Sequence, residues 1–537
     1  MASHFIGIDV GTGSARAGIF DRDGAMVAKA KRDIALFRDG PDIAEQSSSD
    51  IWRAVCASVR EALSIAGLAA GDIAGIGFDA TCSMVVLGAG GRSLPVGASG
   101  DAERNIIVWM DHRALDQAQR INRTGHSVLG FVGGTISPEM ETPKLLWLKE
   151  NLPETYGAAW QFLDLADFLT WQATGSLARS VCTVTCKWTY LAHERRWDAG
   201  YFREIGLGDL ADDVFARIGT EIVDPGQPLG AGLTAEAARE LGLSPGTPVA
   251  AGLIDAHAGG VGSVGVKDGD GSVLTRMAYV FGTSACTMMS STEPLFIPGV
   301  WGPYYSAMVP GLWLSEGGQS AAGAAIDHLI ALHPASQEAA AKAGAAGLSL
   351  PEWIADTAAK ASASLSEAAR LAGQLHVVPD FLGNRAPFAN PHARGVIAGL
   401  GMEGDLRSLV SLYVAGLLGL GYGLRQIVSA SRERGAVIDS IALSGGAGQH
   451  PLVRQLIADA AGISVLASRE SDPVLLGSAM LGAVASGACG SLQEAMARMS
   501  ASGEHYEPAG GDVADLHERR FRAFEALQRA AFSLETN

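Results

Sequence analysis

The sequence predicts an α/β protein made of two related halves that face each other across a cleft. Apolar, β-branched runs alternate with helical stretches along its 537 residues, which is typical of α/β architecture. A chain of this length can form two large domains, each with its own core. Gly-Thr and a nearby serine follow an apolar run in both halves, at residues 11–14 and 282–284. This short echo indicates two similar strand–turn units.

The first half begins with a strand-like run and a hairpin signal. Asp-Gly at residues 23–24, after an apolar run, is typical of a hairpin turn. Helical spacing begins near residue 47, where Ser49 or Asp50 is expected to cap the helix, and proline is tolerated near the start of a second helix at Pro143. The predicted strands are 5–10, 15–20, 73–79 and 84–87, and the predicted helices are 47–66 and 142–150.

The second half repeats this alternation from about residue 249. Its predicted strands are 249–254, 273–282 and 438–443, and its predicted helices are 406–430, one from about 451, and 517–534. Residues 336–373 are rich in Ala and Ser and predict a peripheral helical excursion that carries no visible chemistry. Residues 473–490 carry no charge and many small side chains. They favour a closely packed buried helix over a membrane span.

The composition limits the partners and the compartment. The formal net charge of −17 would repel nucleic acid and anionic lipid, so neither is expected as a partner. The six cysteines are scattered without metal-knuckle spacing, which is typical of reduced buried thiols. The N-terminal segment lacks a basic region and reaches Asp9 at once, so a signal peptide is not expected. We therefore expect a cytoplasmic protein without a membrane or nucleic-acid partner.

A glycine-rich turn at residues 11–14 is a candidate phosphate-binding loop. Its backbone N–H groups could face phosphate oxygens, and Thr12 and Ser14 add hydroxyl donors. Asp9, just before the turn, could hold a magnesium ion through water, as phosphoryl transfer requires. An ordinary hairpin with a glycine-rich turn would give the same pattern.

Two further segments have residues suited to nucleotide binding and proton transfer. Residues 443–451 place Gly445–Gly448 between a strand and a helix, where glycines could face a base or ribose, although a plain βα connection is equally glycine-rich. Asp255 ends an apolar run and could accept a proton from an attacking hydroxyl, or simply cap the next helix. His257 favours a packing role that supports its neighbours over a role as base.

Together these segments resemble the FGGY family of carbohydrate kinases from Ile6 to about Gly487, in the family's order. Further stretches are similar to its ribulokinase-type branch. These are Asp79–Val86 with its Thr-Cys-Ser, Val108–Ala114, Ser137–Trp147, Thr185–Tyr190 and Glu316–Gly323. The resemblance implies an actin-like, ribonuclease-H-like ATPase fold in two domains with an interdomain cleft. It places a sugar-binding N-terminal domain at 1–252 and an ATP-binding C-terminal domain at 253–537.

The same resemblance assigns roles to individual residues. Asp255 would be the general base and Asp9 the magnesium-associated acid. ATP would contact Gly11, Thr12, Gly13, Ser14, Arg16, Gly282, Thr283, Gln319, Gly323, Gly446, Ala447 and His450. The sugar would be surrounded by Thr81, Cys82, Glu139, Lys187, Asp255, Ala256 and Glu316. Lys187 could instead be a solvated surface lysine, and Cys82 a small wall of the pocket.

The implied activity is ATP- and magnesium-dependent phosphorylation of a ketopentose at its terminal hydroxyl. D-ribulose is the first expected substrate, and L-ribulose, ribitol and D-xylulose stay open as alternatives. A non-catalytic sugar or nucleotide sensor on the same frame is the remote alternative, disfavoured because Asp9 and Asp255 are both present. The family also implies a homodimer. Because a buried hydroxyl without a partner is costly, such a pocket should choose its sugar sharply.

Overall fold

The structure is a computed structural model, which describes residues 2–265, 272–467, 472–501 and 503–534. Its strands are β1 (His4–Val10), β2 (Ser14–Phe20), β3 (Met26–Asp33), β4 (Glu45–Gln46), β5 (Ile73–Ala80), β6 (Met84–Gly88), β7 (Ile106–Ile107), β8 (Ala159–Asp164), β9 (Arg179–Ser180), β10 (Ile222–Val223), β11 (Leu253–Ile254), β12 (Arg276–Phe281), β13 (Ala285–Ser291), β14 (Trp301–Tyr305), β15 (Trp313–Gln319), β16 (His376–Val378), β17 (Val396–Ala398), β18 (Ser440–Ser444), β19 (Ser464–Ala467) and β20 (Glu504–Tyr506). Its α-helices are α1 (Ser48–Ala66), α2 (Leu115–Thr124), α3 (Glu141–Asn151), α4 (Pro153–Ala158), α5 (Leu165–Thr174), α6 (Val181–Trp188), α7 (Ala199–Glu204), α8 (Gly208–Asp212), α9 (Ala235–Leu241), α10 (Asp255–Val264), α11 (Gly323–Leu332), α12 (Ser336–Ala346), α13 (Leu350–Lys360), α14 (Leu406–Glu433), α15 (Pro451–Ala461), α16 (Pro473–Ala485), α17 (Leu492–Met499) and α18 (Gly511–Ser533).

The two halves contain sheets of the same topology. In the first sheet the order is β3-β2-β1-β5-β11, with β1 and β2 forming an antiparallel hairpin and β5 and β11 running parallel to β1. In the second sheet β15-β13-β12-β18-β19 repeat this order, extended by β14 and β20 at its edges. The Gly-Thr turns close the two equivalent hairpins, with Gly11 N donating to Ser14 O and Gly282 N donating to Ser284 O. The echo in the sequence is therefore a repeated structural unit.

Helix α16 packs against the back of the first sheet with almost no side chain between the two backbones. A Cβ on Gly7 of β1 would lie 2.0 Å from the carbonyl oxygen of Leu475, and one on Gly77 of β5 would lie 1.8 Å from that of Ser478. On its other side α16 meets α10, where a Cβ on Gly477 would lie 2.0 Å from the carbonyl oxygen of Ala258. The uncharged, glycine-rich stretch thus forms the predicted buried helix, because only small residues permit this approach.

Most predicted elements are present, with local differences at their ends. Ser47 caps α1, accepting from the N–H of Asp50, so the predicted cap at Ser49 or Asp50 is wrong by two or three residues. Only Leu253–Ile254 of the predicted strand 249–254 pairs as a strand, since the preceding residues join the sheet by an isolated bridge at Val249. The final helix begins at Gly511, six residues earlier than the predicted 517.

The core of the second half is built on α14, whose central face is buried against α11, α15 and the 3₁₀ helix Ser366–Ala372. Among the described residues this is the one helix long and apolar enough to cross a membrane, and 72% of its most apolar window is buried inside the protein. Such burial is typical of a core helix. The predicted excursion 336–373 forms α12, α13 and this 3₁₀ helix, and Ile354 and Ala355 of α13 belong to the same core.

Candidate active site

A cavity of about 300 Å³ lies where the strand ends of both sheets meet. All seven residues predicted to surround a sugar line this one cavity, namely Thr81, Cys82, Glu139, Lys187, Asp255, Ala256 and Glu316. Asp9, Gly11, Thr12, Arg16, Gly282 and Thr283 line it as well. Because parallel strands end at a common edge, β1, β5 and β11 deliver Asp9, Thr81 and Asp255 to the same place.

Asp255 occupies the first turn of α10, directly after β11. Its Oδ1 accepts a hydrogen bond of 2.7 Å from the backbone N–H of Ala256. Burial, followed by the negative charge of Asp9, raises the pKa of the Asp255 carboxyl to about 6. A carboxylate with such a pKa is still ionised at neutral pH and is a better proton acceptor than an ordinary aspartate.

Asp9 lies beside a cluster of charges at the end of β1. Arg16 Nε donates to Asp9 Oδ2 at 2.5 Å, and Arg16 Nη1 lies 3.1 Å from Asp472 Oδ1. Burial raises the pKa of Asp9, and burial together with the charge of Asp9 raises the pKa of neighbouring Asp79 well above its usual value. These shifts reflect buried carboxylates that are close together, an arrangement that a divalent cation would relieve.

The donor chemistry fits magnesium held mainly by nucleotide and water. Carboxylate oxygens are the ligands that Mg²⁺ prefers, and in phosphoryl-transfer sites it is usually held by one or two of them plus phosphates. Within the described residues no group of three His, Cys, Asp or Glu side chains could hold a metal by itself. Asp9 is a cavity-lining carboxylate that could hold a hydrated ion, and in this structure it is bonded to Arg16.

Lys187 is a buried cation that points into the cavity. It lies at the end of α6 and is 6% exposed, so the alternative of a solvated surface lysine is wrong. Its Nζ lies 5.2 Å from the ring centroid of Trp301 and has no hydrogen-bond partner among the described residues. Burial alone would lower the pKa of Lys187, but the neighbouring Cys82 and Glu316 raise it, so the ammonium stays charged.

Three buried side chains form a chain of contacts that ends at Glu316, a residue of the cavity lining. Cys182 Sγ lies 3.1 Å from His257 Nδ1, and His257 Nε2 lies 3.3 Å from Glu316 Oε2. Burial would lower the pKa of His257, but Cys182 and Glu316 raise it to about 10. The imidazole is thus positively charged, and with Lys187 it offsets the burial of Glu316 and lowers the pKa of that carboxyl to about 2. His257 supports Glu316, as the predicted packing role requires.

The other predicted sugar carboxylate, Glu139, has its own histidine. His112 Nε2 lies 3.3 Å from Glu139 Oε1; burial would raise the pKa of Glu139, but this hydrogen bond and the positive charges of Arg385 and Lys187 together lower it. Trp109 of the same segment lines the cavity and donates from Nε1 to Thr12 Oγ1 at 2.9 Å. Arg113, by contrast, pairs with Asp111 away from the cavity and stabilises the surrounding loop.

A second cavity of about 490 Å³ lies in the C-terminal half and holds four of the predicted ATP residues, Gly323, Gly446, Ala447 and His450. It is next to the first cavity, because Gly323 N donates to Gly282 O at 2.9 Å. Glu352 of the helical excursion also lines it, and Asp356 accepts from His450 Nε2 at 3.2 Å. The excursion therefore contributes to this cavity, which sequence reasoning missed.

Three predicted ATP residues line neither of these cavities. Gly13 is exposed and Ser14 half-buried beyond the first turn. Gln319 accepts from the hydroxyl of Tyr279 at 2.6 Å and donates to the carbonyl oxygen of Leu420 at 3.0 Å, so its amide is engaged inside the domain. The geometry thus separates a cavity with carboxylates and cations from an adjoining cavity that contains the glycine turn after β18.

Two cavity residues, Trp301 and Arg385, were missed by sequence reasoning. Trp301 starts β14, and Arg385 lies in the loop between β16 and β17. The guanidinium carbon of Arg385 lies 5.2 Å from the ring centroid of Trp301. The only signal in the sequence is an arginine in a glycine- and proline-rich loop, and many surface loops share that pattern.

Comparisons with known proteins agree with this geometry. The N-terminal domain model of the FGGY family of carbohydrate kinases matches residues 4–262, and the C-terminal domain model matches 277–486. A human FGGY carbohydrate kinase domain-containing protein is 46% identical over 98% of this chain and 96% of its own length. A D-ribulokinase of Saccharomyces cerevisiae is 37% identical over 90% of this chain and 72% of its own length. A ligand-bound xylulose kinase from Lactobacillus acidophilus, 20% identical, has the same fold, with a TM-score of 0.79 over 98% of both chains.

Proposed function

We propose that this chain phosphorylates a ketopentose at its terminal hydroxyl. The proposal starts from the family: the chain belongs to the FGGY family of carbohydrate kinases, has its two-domain actin-like fold and is an ATP-dependent sugar kinase. D-ribulose is the proposed substrate and D-ribulose 5-phosphate the product. The similarity to a yeast D-ribulokinase over most of the chain supports this choice. L-ribulose, ribitol and D-xylulose are the competing substrates that an experiment has to distinguish.

The single observation that carries the proposal is the position of Asp255. Asp255 follows β11 directly and lines the cavity that the phosphate-loop residues Thr12 and Thr283 also line. A hydroxyl placed between them is within reach of both a proton acceptor and the donors that surround a phosphate. The raised pKa of about 6 makes Asp255 a stronger base than an ordinary aspartate, and it is still ionised at pH 7.

The chemical step is then a direct transfer. The C5 oxygen of the sugar attacks the γ-phosphorus as its proton passes to Asp255, the bond between γ-phosphorus and the bridging oxygen breaks, and ADP leaves. The turns that carry Thr12 and Thr283 would face the phosphates, while Gly446 and Ala447 would hold the adenosine. Magnesium held by Asp9 and water would neutralise charge on the phosphates. Closure of the cleft would keep water away from the γ-phosphate.

The sugar would be held by polar groups of both halves. Thr81 and Cys82 follow β5, Lys187 ends α6, and Glu316 comes from β15 of the second half. Glu139 and Glu316 are each bonded to a histidine, which supports ionised carboxylates that accept from sugar hydroxyls. We also expect a cytoplasmic homodimer, as the family resemblance implies.

The test is ADP release from the purified protein with MgATP and D-ribulose, L-ribulose, D-xylulose, ribitol, glycerol or sedoheptulose. We expect turnover to be fastest with D-ribulose and to fall by about three orders of magnitude or more in Asp255→Asn, since general-base catalysis alone contributes about 10²–10⁴-fold. Asp512→Asn is the matched control, because Asp512 is exposed in the first turn of α18. Preference for another sugar would refute the substrate, and full activity of Asp255→Asn would refute the base.

A further inference from the structure

Arg385 brings positive charge to the cleft from the second half of the chain. It lies on a loop after β16 and lines the same cavity as Lys187 and Asp255. Among the described residues its hydrogen-bond partner is Cys286 Sγ, a long contact of 3.8 Å from Nη1, and no carboxylate of these residues lies within ion-pair distance. A guanidinium carries five N–H donors, so most of them are free to face the cavity.

Arg385 and Lys187 share one aromatic ring. The guanidinium carbon and the lysine Nζ each lie 5.2 Å from the centroid of the Trp301 indole. Such cation–π contacts offset part of the cost of burying the two charges but satisfy none of their N–H donors. Burial would lower the pKa of Arg385, but Cys286, Glu139 and Glu316 raise it. The hydrogen bonds of the two glutamates nevertheless go to histidines.

The carboxylates and the cations of this part of the cavity therefore differ in how many of their hydrogen-bonding groups have partners. Its carboxylates have donors, whereas its two cations have only an indole and a thiol. Donor-only groups that face a cavity fit a ligand presenting acceptor oxygens. A sugar carbonyl oxygen is such an acceptor, because it carries lone pairs and no proton.

The sheet fixes which end of a sugar Arg385 can reach. Cys286, which Arg385 contacts, lies on β13 three residues beyond Thr283 of the phosphate loop. Thr283 lies in the turn and Cys286 within the strand that follows it, so the contact with Cys286 puts Arg385 on the side of the cavity away from the turn. With the attacking hydroxyl at the phosphate end, Arg385 would face the opposite end of the sugar.

We propose that Arg385, together with Lys187 across the Trp301 ring, binds the carbonyl-bearing end of the substrate and thereby makes the enzyme select 2-ketoses over the corresponding alditols. This inference rests on the proposed phosphorylation of a ketopentose at its far hydroxyl. An alditol places a hydroxyl there, whose oxygen can still accept from a cation but whose proton has to turn away from groups that only donate, which the ketose carbonyl does not require. Removing the guanidinium should therefore harm the ketose more than the alditol.

The experiment measures kcat/KM for D-ribulose and for ribitol with the wild type, Arg385→Gln and Arg385→Lys, at saturating MgATP. Loss of a hydrogen bond from a charged group is worth about 10- to 100-fold. We expect that loss for D-ribulose in Arg385→Gln, a much smaller loss for ribitol, and partial recovery in Arg385→Lys. The ratio of the two substrates is measured on one protein sample, so a partly unfolded variant does not distort it.

Arg394→Gln is the matched control, because Arg394 is an exposed arginine of the same loop that bonds backbone carbonyls. It should keep the wild-type ratio, and the KM for ATP should stay unchanged in all variants. An unchanged ratio in Arg385→Gln, or a wild type that does not distinguish the two substrates, would overturn the inference and leave the kinase assignment intact. A wild type inactive on every pentulose would overturn both.

Discussion

The acid side of the pH profile offers a quantitative test of the role of Asp255. A general base must be ionised in the free enzyme, and kcat/KM reports the ionisation of the free enzyme. With a pKa of about 6, the ionised fraction falls from about 0.99 at pH 8 to about 0.09 at pH 5. We therefore expect kcat/KM for the sugar to fall about 11-fold over this range, whereas an ordinary aspartate would give less than about a 1.1-fold change.

The profile is best measured from pH 5 to 9 at constant ionic strength with excess magnesium and with ATP held well below its KM, so that the free enzyme is the form that titrates. ADP should be quantified by chromatography after quenching, so that no coupling enzyme contributes its own pH dependence. Lys187→Met provides a second perturbation, because Lys187 lowers the pKa of Asp255. Its removal should move the midpoint of the acid limb to higher pH, whatever happens to the absolute rate.

Two results would refute this reasoning. A kcat/KM that stays flat down to pH 5 would mean that Asp255 titrates like an exposed aspartate or is not the base. An acid limb that persists unchanged in the residual activity of Asp255→Asn would assign the limb to another group. A single-proton limb near pH 6 that is absent from Asp255→Asn is the result the geometry predicts.

Three further substitutions test the hydrogen bond from His257 to Glu316, the role of the second cavity and the packing of α16 against α10. His257→Ala should raise the sugar KM about 10- to 100-fold, because Glu316 loses a hydrogen bond from a charged donor. His257→Gln should recover part of this loss, and neither variant should alter the ATP KM. Equal sugar KM values in both variants would contradict this explanation. Ala447→Leu should raise the ATP KM at least tenfold by filling the second cavity and leave the sugar KM unchanged. Steady-state kinetics with each substrate varied in turn would check this. A raised sugar KM with an unchanged ATP KM would show that the cavity is wrongly assigned. Gly477→Ala should lower the free energy of unfolding by about 2 kcal/mol or more, since its Cβ would overlap a backbone carbonyl of α10. Gly344→Ala, in open space on α12, should not destabilise the protein. Equal denaturation midpoints of the two variants would refute the packing argument.

The features that could be predicted from the sequence are those with a local signature. The hairpin turns, the strand before Asp255 and the glycine turn after β18 follow from residue type and spacing. The duplication could be predicted because the two equivalent hairpin turns use the same small residues, Gly-Thr and a nearby serine. Lys187 and Glu316 were found through a family resemblance, since nothing in their own segments distinguishes a buried ion from a solvated one.

The remainder depended on contacts between distant segments. Trp301 and Arg385 meet only through the pairing of β14 with β15 and the course of a loop 84 residues further on, so no local pattern indicates their contact. The chain from Cys182 to Glu316 joins three elements that no spacing rule relates. The contribution of α13 to the second cavity has the same origin, because an Ala-rich amphipathic helix does not indicate which cavity it will border.

The position of α16 has a consequence for dividing the chain. Although it follows residue 470 and so belongs to the second half by sequence, its backbone lies directly against β1 and β5 of the first. A fragment that stops at the predicted boundary of 252 would expose to water the glycine-lined surface of the sheet where this helix packs, together with the Phe5 and Phe20 side chains of the same cluster. Helix α16 therefore joins the two halves. During synthesis the first half cannot complete its packing until Pro473–Ala485 has been made.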